Sequence, residues 1–170
     1  MINHFYLSLG SNIQPEQNLP AAVRLISRFG EIVAASTVYE SRPLGGAAQP
    51  NYLNAAVWVR SPLAPEAFQT LAIGTVEMEL GRVRTADRFA PRTIDIDILL
   101  CNDETRTIGH RAIPRAEILA HDFVAVPLGE IAPDKRHPVT GQTLGEIASQ
   151  WGARPRGLIP RPDVRLISEG

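Results

Sequence analysis

Two aspartates two residues apart, Asp95 and Asp97, sit in "FAPRTIDIDILL" (89–100), a stretch that alternates like a strand with one apolar face. Successive strand side chains turn to opposite faces, so Ile94, Ile96 and Ile98 share one side and the two acids the other. Their Cα atoms then lie roughly 6–7 Å apart, two residues of strand rise. Carboxylates so close repel unless a cation lies between them or one keeps its proton. Magnesium answers that demand, because it takes oxygen ligands, commonly one or two carboxylates completed by water and substrate phosphates. The four histidines, His4, His110, His121 and His137, lack the i, i+4 or other spacing of a zinc site.

Just upstream, Arg82, Arg84, Arg88 and Arg92 crowd one segment. Guanidinium forks grip phosphate oxygens in pairs, which lysine cannot do. Acids for a metal beside arginines for phosphates outline a phosphoryl-transfer site, whose chemistry needs positioning and charge neutralisation more than covalent work by the protein. No Walker-type or kinase glycine-rich loop is present, which excludes those two classes. The plainer alternative makes Asp-Ile-Asp the wet face of an edge strand and the arginines a solvated loop. Spacing alone leaves both open.

These residues need a scaffold. "HFYLSLG" predicts a strand at about 4–9 closed by Gly-Ser-Asn, and apolar residues at helical spacing predict a helix over about 16–29, with Gly30 as its stop and Pro20 limiting its start. "EIVAASTVYES" (31–41) and "YLNAAVWVR" (52–60) both read as strands, and "RPLGGAAQPN" between them is too long for a tight turn and suits a ligand-covering loop. "PEAFQTLAIGTVEMELG" (65–81) opens with proline, keeps a 3.6-residue period and ends in Gly81, which predicts a second helix. With a strand at about 93–101 the order becomes βαββαβ, an α+β ferredoxin-like core with helices packed on an antiparallel-containing sheet. "HDFVAVPLGEIA" and "TLGEIASQW" predict short C-terminal helices, and residues 151–170 read as an irregular tail rich in Pro and Arg.

A chain of 170 residues is sized for one domain, and 44% hydrophobic with 21% charged residues is a globular composition. The net charge of -1 and a pI near 6.4 argue against a nucleic-acid partner and for small anions. A lone cysteine, Cys101, excludes an internal disulfide and reads as structural rather than reactive. Without a signal-like N-terminus or an apolar run of roughly 18 residues, a cytoplasmic protein that avoids membranes is the simplest reading.

The motifs resemble those of the 6-hydroxymethyl-7,8-dihydropterin pyrophosphokinase family over about residues 5–150: "SLGSN", "RPLGGAAQPNYLNAAV", "GRVRTADRFAPRTIDIDILL" and "IPRAEILAHDFVAVPLGEIAP". "APRTIDIDILL" meets in full the family signature of a small residue, Pro, Arg, two spacers and Asp-aliphatic-Asp-aliphatic-aliphatic. The resemblance implies transfer of diphosphate from ATP to the hydroxymethyl group of the dihydropterin with release of AMP, in folate biosynthesis. It implies two Mg²⁺ ions on Asp95 and Asp97, small-molecule partners only, and favours a monomer.

Position by position, the resemblance implies that Arg82 and Arg92 are catalytic-loop arginines. Glu77, Arg84, Arg92, Ile98, Arg115 and His121 fall on the ATP side, and Ser41, Pro43, Leu44, Tyr52, Asn54 and Phe123 in a pterin pocket. Tyr52 and Phe123 would sandwich the flat ring while Asn54 pairs with its polar edge. Phe123 also reads as plain core and Glu77 as plain helix surface. Arg115 stands where the family usually has His, His121 where it commonly has Arg, and Phe89 where Trp is frequent. Those departures keep open a paralogue acting on a modified pterin, or a non-catalytic ferredoxin-like module that binds a pterin or nucleotide.

Overall fold

A computed structural model describes residues 1–167 apart from 47, 88, 154 and 156, so Arg88 lies outside the described residues. Its main sheet is built from β1 (Asn3–Ser11), β2 (Glu31–Ala35), β3 (Tyr39–Ser41), β4 (Tyr52–Ser61), β5 (Asp95–Cys101) and β8 (Ile159–Pro160). The order is β5-β1-β4-β3-β8, with β2 also on β4, and every pairing is antiparallel. This is the ferredoxin-like arrangement.

The strand expected over 31–41 is two strands, because Ser36–Val38 interrupt it and a register shift falls between Ile32 and Ala34. The Ser36 hydroxyl accepts the N–H of Ala56 in the gap while the Ser36 N–H donates to the Ala56 carbonyl, so a side chain stands in for one ladder bond there. Helix α1 (Pro15–Ile26) starts earlier than expected. Pro15 takes the first turn, and Pro20 sits inside the helix, where it forfeits one N–H bond. Gly30 is no helix cap: a Cβ there would stand 2.4 Å from the Arg60 carbonyl oxygen, so glycine allows the turn to graze β4. The helix expected over 65–81 has three pieces, α2 (Pro65–Ala67), a π-helical stretch (Phe68–Ile73) and α3 (Gly74–Glu79), and ends as foreseen at Gly81 with φ of +74°. The Gly74 N–H reaches the Gln69 carbonyl, the i to i+5 bond that widens the turn.

Strand alternation sorts the core onto two faces. Phe5, Leu7 and Leu9 of β1, with Val57, Val59, Ile96 and Ile98, face α1 and the second helix, where Phe5 stacks on Phe68 at 4.1 Å. Tyr6, Ala56, Leu99 and Leu100 face the other way, under α4 (Glu117–Ala120), α5 (Asp122–Ile131) and α6 (Leu144–Ser149). The short C-terminal helices therefore cover the second face of the sheet. Thr143 caps α6 by accepting the Glu146 N–H at 3.1 Å, as a Thr-x-x-Glu sequence favours. A small hairpin, β6 (Arg106–Ile108) with β7 (Arg111–Ile113), carries the chain from β5 to α4. Cys101 is buried, and burial pushes its thiol up to about 11, which makes it an inert core residue.

The tail is less irregular than expected, since β8 pairs with β3 and Leu158, Val164 and Leu166 are buried. Where α5 meets α6 there is no slack: a Cβ on Gly129 would come within 2.6 Å of Ala148 Cβ and 2.8 Å of the Leu144 carbonyl. Gly129→Ala should therefore lower unfolding stability by about 2 kcal/mol, as overpacking against backbone does. A denaturant midpoint equal to that of the parent chain would show the interface to be softer than this.

Candidate active site

Along the second face of β1 the side chains shrink, from Tyr6 beneath the C-terminal helices to Ser8 and then Gly10. Ser8 lies opposite Asp97 in the ladder, and Gly10 lies between Asp95 on β5 and Asn54 on β4. Loss of bulk at Ser8 and Gly10 opens a hollow between the acid pair and β4. A cavity of about 740 Å³ occupies it. The alternation read from the sequence holds: Asp95 and Asp97 both open into this cavity while Ile98 packs in the first-face core.

Asp95, Asp97, Arg82, Arg84, Arg92 and Arg115 line one part of the cavity. Ser41, Leu44, Tyr52, Asn54, His121 and Phe123 line the rest. Pro43 and the Ile98 side chain are not on its wall, and Glu77 lies beneath it. Ile98 cannot present its side chain beside the acids, because the two-residue strand period turns it to the helix side. Glu77 is 6% exposed, which rules out the plain helix-surface reading.

The arginines are already engaged. Arg82 Nη1 donates to Asp95 Oδ1 at 2.9 Å and also to Glu77, and Arg92 Nη1 donates to Asp95 Oδ2 at 2.7 Å. Glu77 in turn accepts from Arg84 at 3.0 Å and from the Ile96 N–H at 3.3 Å, tying the second helix to β5. Arg115 donates twice to Glu117, at 3.1 Å each, and stands 3.5 Å from Asp97. Burial, then the nearby charge of Asp95, pushes Asp97 up to about 6 despite Arg115 and Arg111. In this state the repulsion of the acid pair is therefore relieved by guanidinium groups and by a proton affinity raised at Asp97.

The donor set fits a hard cation. Two carboxylates share a face, both partly open to solvent, with oxygen ligands only and room for further oxygens from water or phosphate. Among the described residues no third His, Cys, Asp or Glu completes a cage, as suits a magnesium shared with a substrate. The buried Arg82 Nε has no acceptor among the described residues, a donor that a phosphate oxygen would satisfy.

Across Gly10 from Asp95, the Asn54 amide donates to Ser41 Oγ at 2.7 Å and to the Tyr39 carbonyl at 3.3 Å. This fixes the side chain and leaves its oxygen next to Gly10, whose Cβ position is 3.6 Å away. His121 stacks on Phe123 with centroids 4.9 Å apart and planes 14° from parallel, so His121 stands with the aromatic wall of the cavity.

Two residues without an assigned role in the sequence hold the loops together. Asn12 accepts the Arg92 N–H at 2.8 Å and donates to Gln49 at 2.6 Å, and Gln49 donates to the Phe89 carbonyl at 2.7 Å. The Gly-Ser-Asn ending β1 signalled a turn, but nothing local marked Gln49. The segments at 42–51 and 82–92 are thus in contact, with Phe89 against Gly45.

Comparison with known proteins shows the family of the chain. Residues 6–133 match the family model described as 7,8-dihydro-6-hydroxymethylpterin-pyrophosphokinase (HPPK). The chain is 38% identical over 150 residues to the 2-amino-4-hydroxy-6-hydroxymethyldihydropteridine pyrophosphokinase of Pseudomonas aeruginosa, covering 86% of this chain and 91% of that one. It is 36% identical over 151 residues to the protein of the same name from Aquifex aeolicus, covering 88% and 93%. The solved Plasmodium falciparum HPPK-DHPS, wild type with SDX-DHP, superposes with a TM-score of 0.68 at 14% identity. That match covers 89% of this chain but 44% of the longer one, and it speaks to the fold.

Proposed function

The chain belongs to the 7,8-dihydro-6-hydroxymethylpterin-pyrophosphokinase family, and from that membership we propose how its cavity divides the work of the reaction. It is a pyrophosphokinase of folate biosynthesis that uses ATP as co-substrate. The observation that carries the site assignment is the pair of Asp95 and Asp97 opening, with their arginines, into the same cavity as Tyr52, Asn54 and Phe123.

In the reading we favour, the hydroxymethyl oxygen attacks the β-phosphorus of ATP, the bond from that phosphorus to the α-phosphate oxygen breaks, and AMP leaves. The hydroxyl proton passes to water. Asp95 and Asp97 would hold Mg²⁺, two ions by the family resemblance, which would supply neutralisation of the phosphate charge. Arg82 and Arg92 grip the triphosphate by exchanging Asp95 for phosphate oxygens, Arg84 reaches it while held on Glu77, and Arg115 and His121 approach it as well. Glu77 keeps Arg82 and Arg84 in place from below. Ile98 contributes core packing beneath the acids. No described helix is long and apolar enough to cross a membrane; we place the reaction in the cytoplasm and take the chain to act as a monomer.

The pterin end holds a flat heterocycle between Tyr52 and Phe123, with Ser41 and Leu44 closing the side, Pro43 shaping the loop behind them, and the Asn54 oxygen facing the ring's polar edge. Tyr52→Ala should weaken binding of 6-hydroxymethyl-7,8-dihydropterin by about tenfold, the size of one lost stacking face. Mg·ATP binding should stay within about twofold, since the change removes no arginine or carboxylate. Calorimetric titration of each ligand reads both numbers. Equal loss for both ligands, or none for the pterin, would reverse the assignment of the two ends.

A further inference from the structure

The C-terminal segment beyond the family match runs along the outer edge of β3, the shortest strand in the wall of the pterin pocket. We infer that Arg161 is a positioning residue that sets the spacing of the pterin pocket from outside it, an inference that rests on the pocket assigned above.

The connection is short and made of hydrogen bonds. Arg161 Nη1 donates to Glu40 Oε1 at 2.8 Å, and the other oxygen of Glu40 accepts from Asn51 Nδ2 at 3.0 Å. Glu40 precedes Ser41 and Asn51 precedes Tyr52, and Ser41 and Tyr52 face each other across the β3–β4 ladder. One guanidinium therefore holds the residues next to two pocket residues on neighbouring strands. Arg161 is itself oriented, because Nε and Nη2 donate to both oxygens of Asp163 at 2.9 and 2.8 Å and its backbone N–H donates to the Val38 carbonyl at 2.8 Å. Glu16 on α1 stands a further 3.5 Å from Nη2.

The segment is anchored on both sides of this contact. Ile159 and Pro160 pair with Glu40 and Tyr39, and Val164 and Leu166 enter the first-face core. Before β8, Gly157 passes Asp122, whose carboxylate would lie 3.6 Å from a Cβ there. Asp122 precedes Phe123, the third wall of the pocket. Two residues that flank pocket positions, Glu40 and Asp122, thus meet one segment, and a third, Asn51, is joined to it through Glu40. A strand of three residues paired on a single side frays easily; with β8 and Arg161 on its far edge, Ser41 keeps the position from which it orients Asn54.

A single ion pair that water still reaches contributes little to global stability, so the expected effect is local. Arg161→Ala should raise the pterin Kd by about fivefold while the Mg·ATP Kd stays within about twofold, the size of one network contact. Arg161→Lys keeps the reach to Glu40 and loses the fork to Asp163, and should recover most of the pterin affinity. Glu40→Ala cuts the network from β3 and should give the same pterin-selective loss, which covers the case of a poorly folding Arg161→Ala.

Titration calorimetry of the full chain with 6-hydroxymethyl-7,8-dihydropterin and, separately, with Mg·ATP tests this. A pterin Kd within twofold of the parent in the folded variants overturns the inference, and so does parallel weakening of both ligands with a lower melting temperature. Failure of the unsubstituted chain to bind the pterin at all would instead overturn the pocket reading beneath it.

Discussion

Asp97→Ala is expected to lower kcat by about 10³-fold or more while the pterin Kd stays within about threefold. Asp97 is one of two carboxylates on the cavity face of β5, and a magnesium held there as proposed, by so few protein oxygens, would have no spare ligand to lose. The pterin end has its own contacts and shares none with the Asp97 carboxylate. The fold should not suffer. Asp97 has its proton affinity raised in the folded chain, to about 6 from the ordinary 3.8, by burial and by Asp95. A folded value above the unfolded one means that the native state binds more protons, so this group costs stability as pH rises through about 4 to 6. At pH 7 its removal leaves the melting temperature unchanged or higher, and Arg115 retains Glu117 as partner. Retention of kcat within tenfold of the parent would remove Asp97 from the metal site.

Arg92→Ala is expected to lower kcat by about 10²-fold with little change in pterin affinity, the pattern of an interaction made mainly in the transition state. Its backbone does not depend on its side chain: the N–H donates to Asn12 Oδ1 at 2.8 Å, and the carbonyl accepts from Asn12 and Ile13 at 3.1 and 3.2 Å. Truncation therefore removes the guanidinium and leaves the loop base in place. Asp95 keeps Arg82 as a partner at 2.9 Å, so no carboxylate is stranded. Arg92→Lys restores charge without the fork and should recover only part of the rate. Steady-state kinetics with each substrate varied, paired with pterin titration, reads the split. An equal loss in pterin affinity and turnover would make Arg92 a general structural element of the loop.

How much of this was legible beforehand follows from the range of the forces involved. The alternation around Asp95 and Asp97 and the apolar spacing of α1 are local patterns, and both survived folding. The βαββαβ order needed no long-range information beyond them, since each strand and helix signal was read in its own window. The break at Ser36–Val38 was invisible because it holds no glycine or proline and Thr37 and Val38 are good strand formers, and the register shift arises from pairing with β4. The π-helical stretch has a helical pattern, and its extra residue per turn leaves no mark except the weak helix former Gly74.

Site electrostatics were the least legible part. Four clustered arginines suggested empty anion grips, whereas Arg82 and Arg92 hold Asp95, and Glu77, from another element, sits below as a buried anchor. Such pairings join residues 3 to 13 apart across a helix end, a loop and a strand, an arrangement that only the fold defines. Ile98 shows the reverse case, where the family resemblance put a residue on the ATP side and strand alternation alone already turned its side chain to the core. The docked tail was read as irregular because Pro and Arg dominate its composition, while its order comes from contacts with β3 and the core.

The most direct measurement is AMP release from Mg·ATP with and without 6-hydroxymethyl-7,8-dihydropterin, followed by mass analysis of the pterin. The account predicts AMP that appears only with the pterin, one for each diphosphorylated pterin formed, and none after magnesium is chelated. Release of ADP or free phosphate in place of AMP, or AMP that forms equally without the pterin, would contradict it.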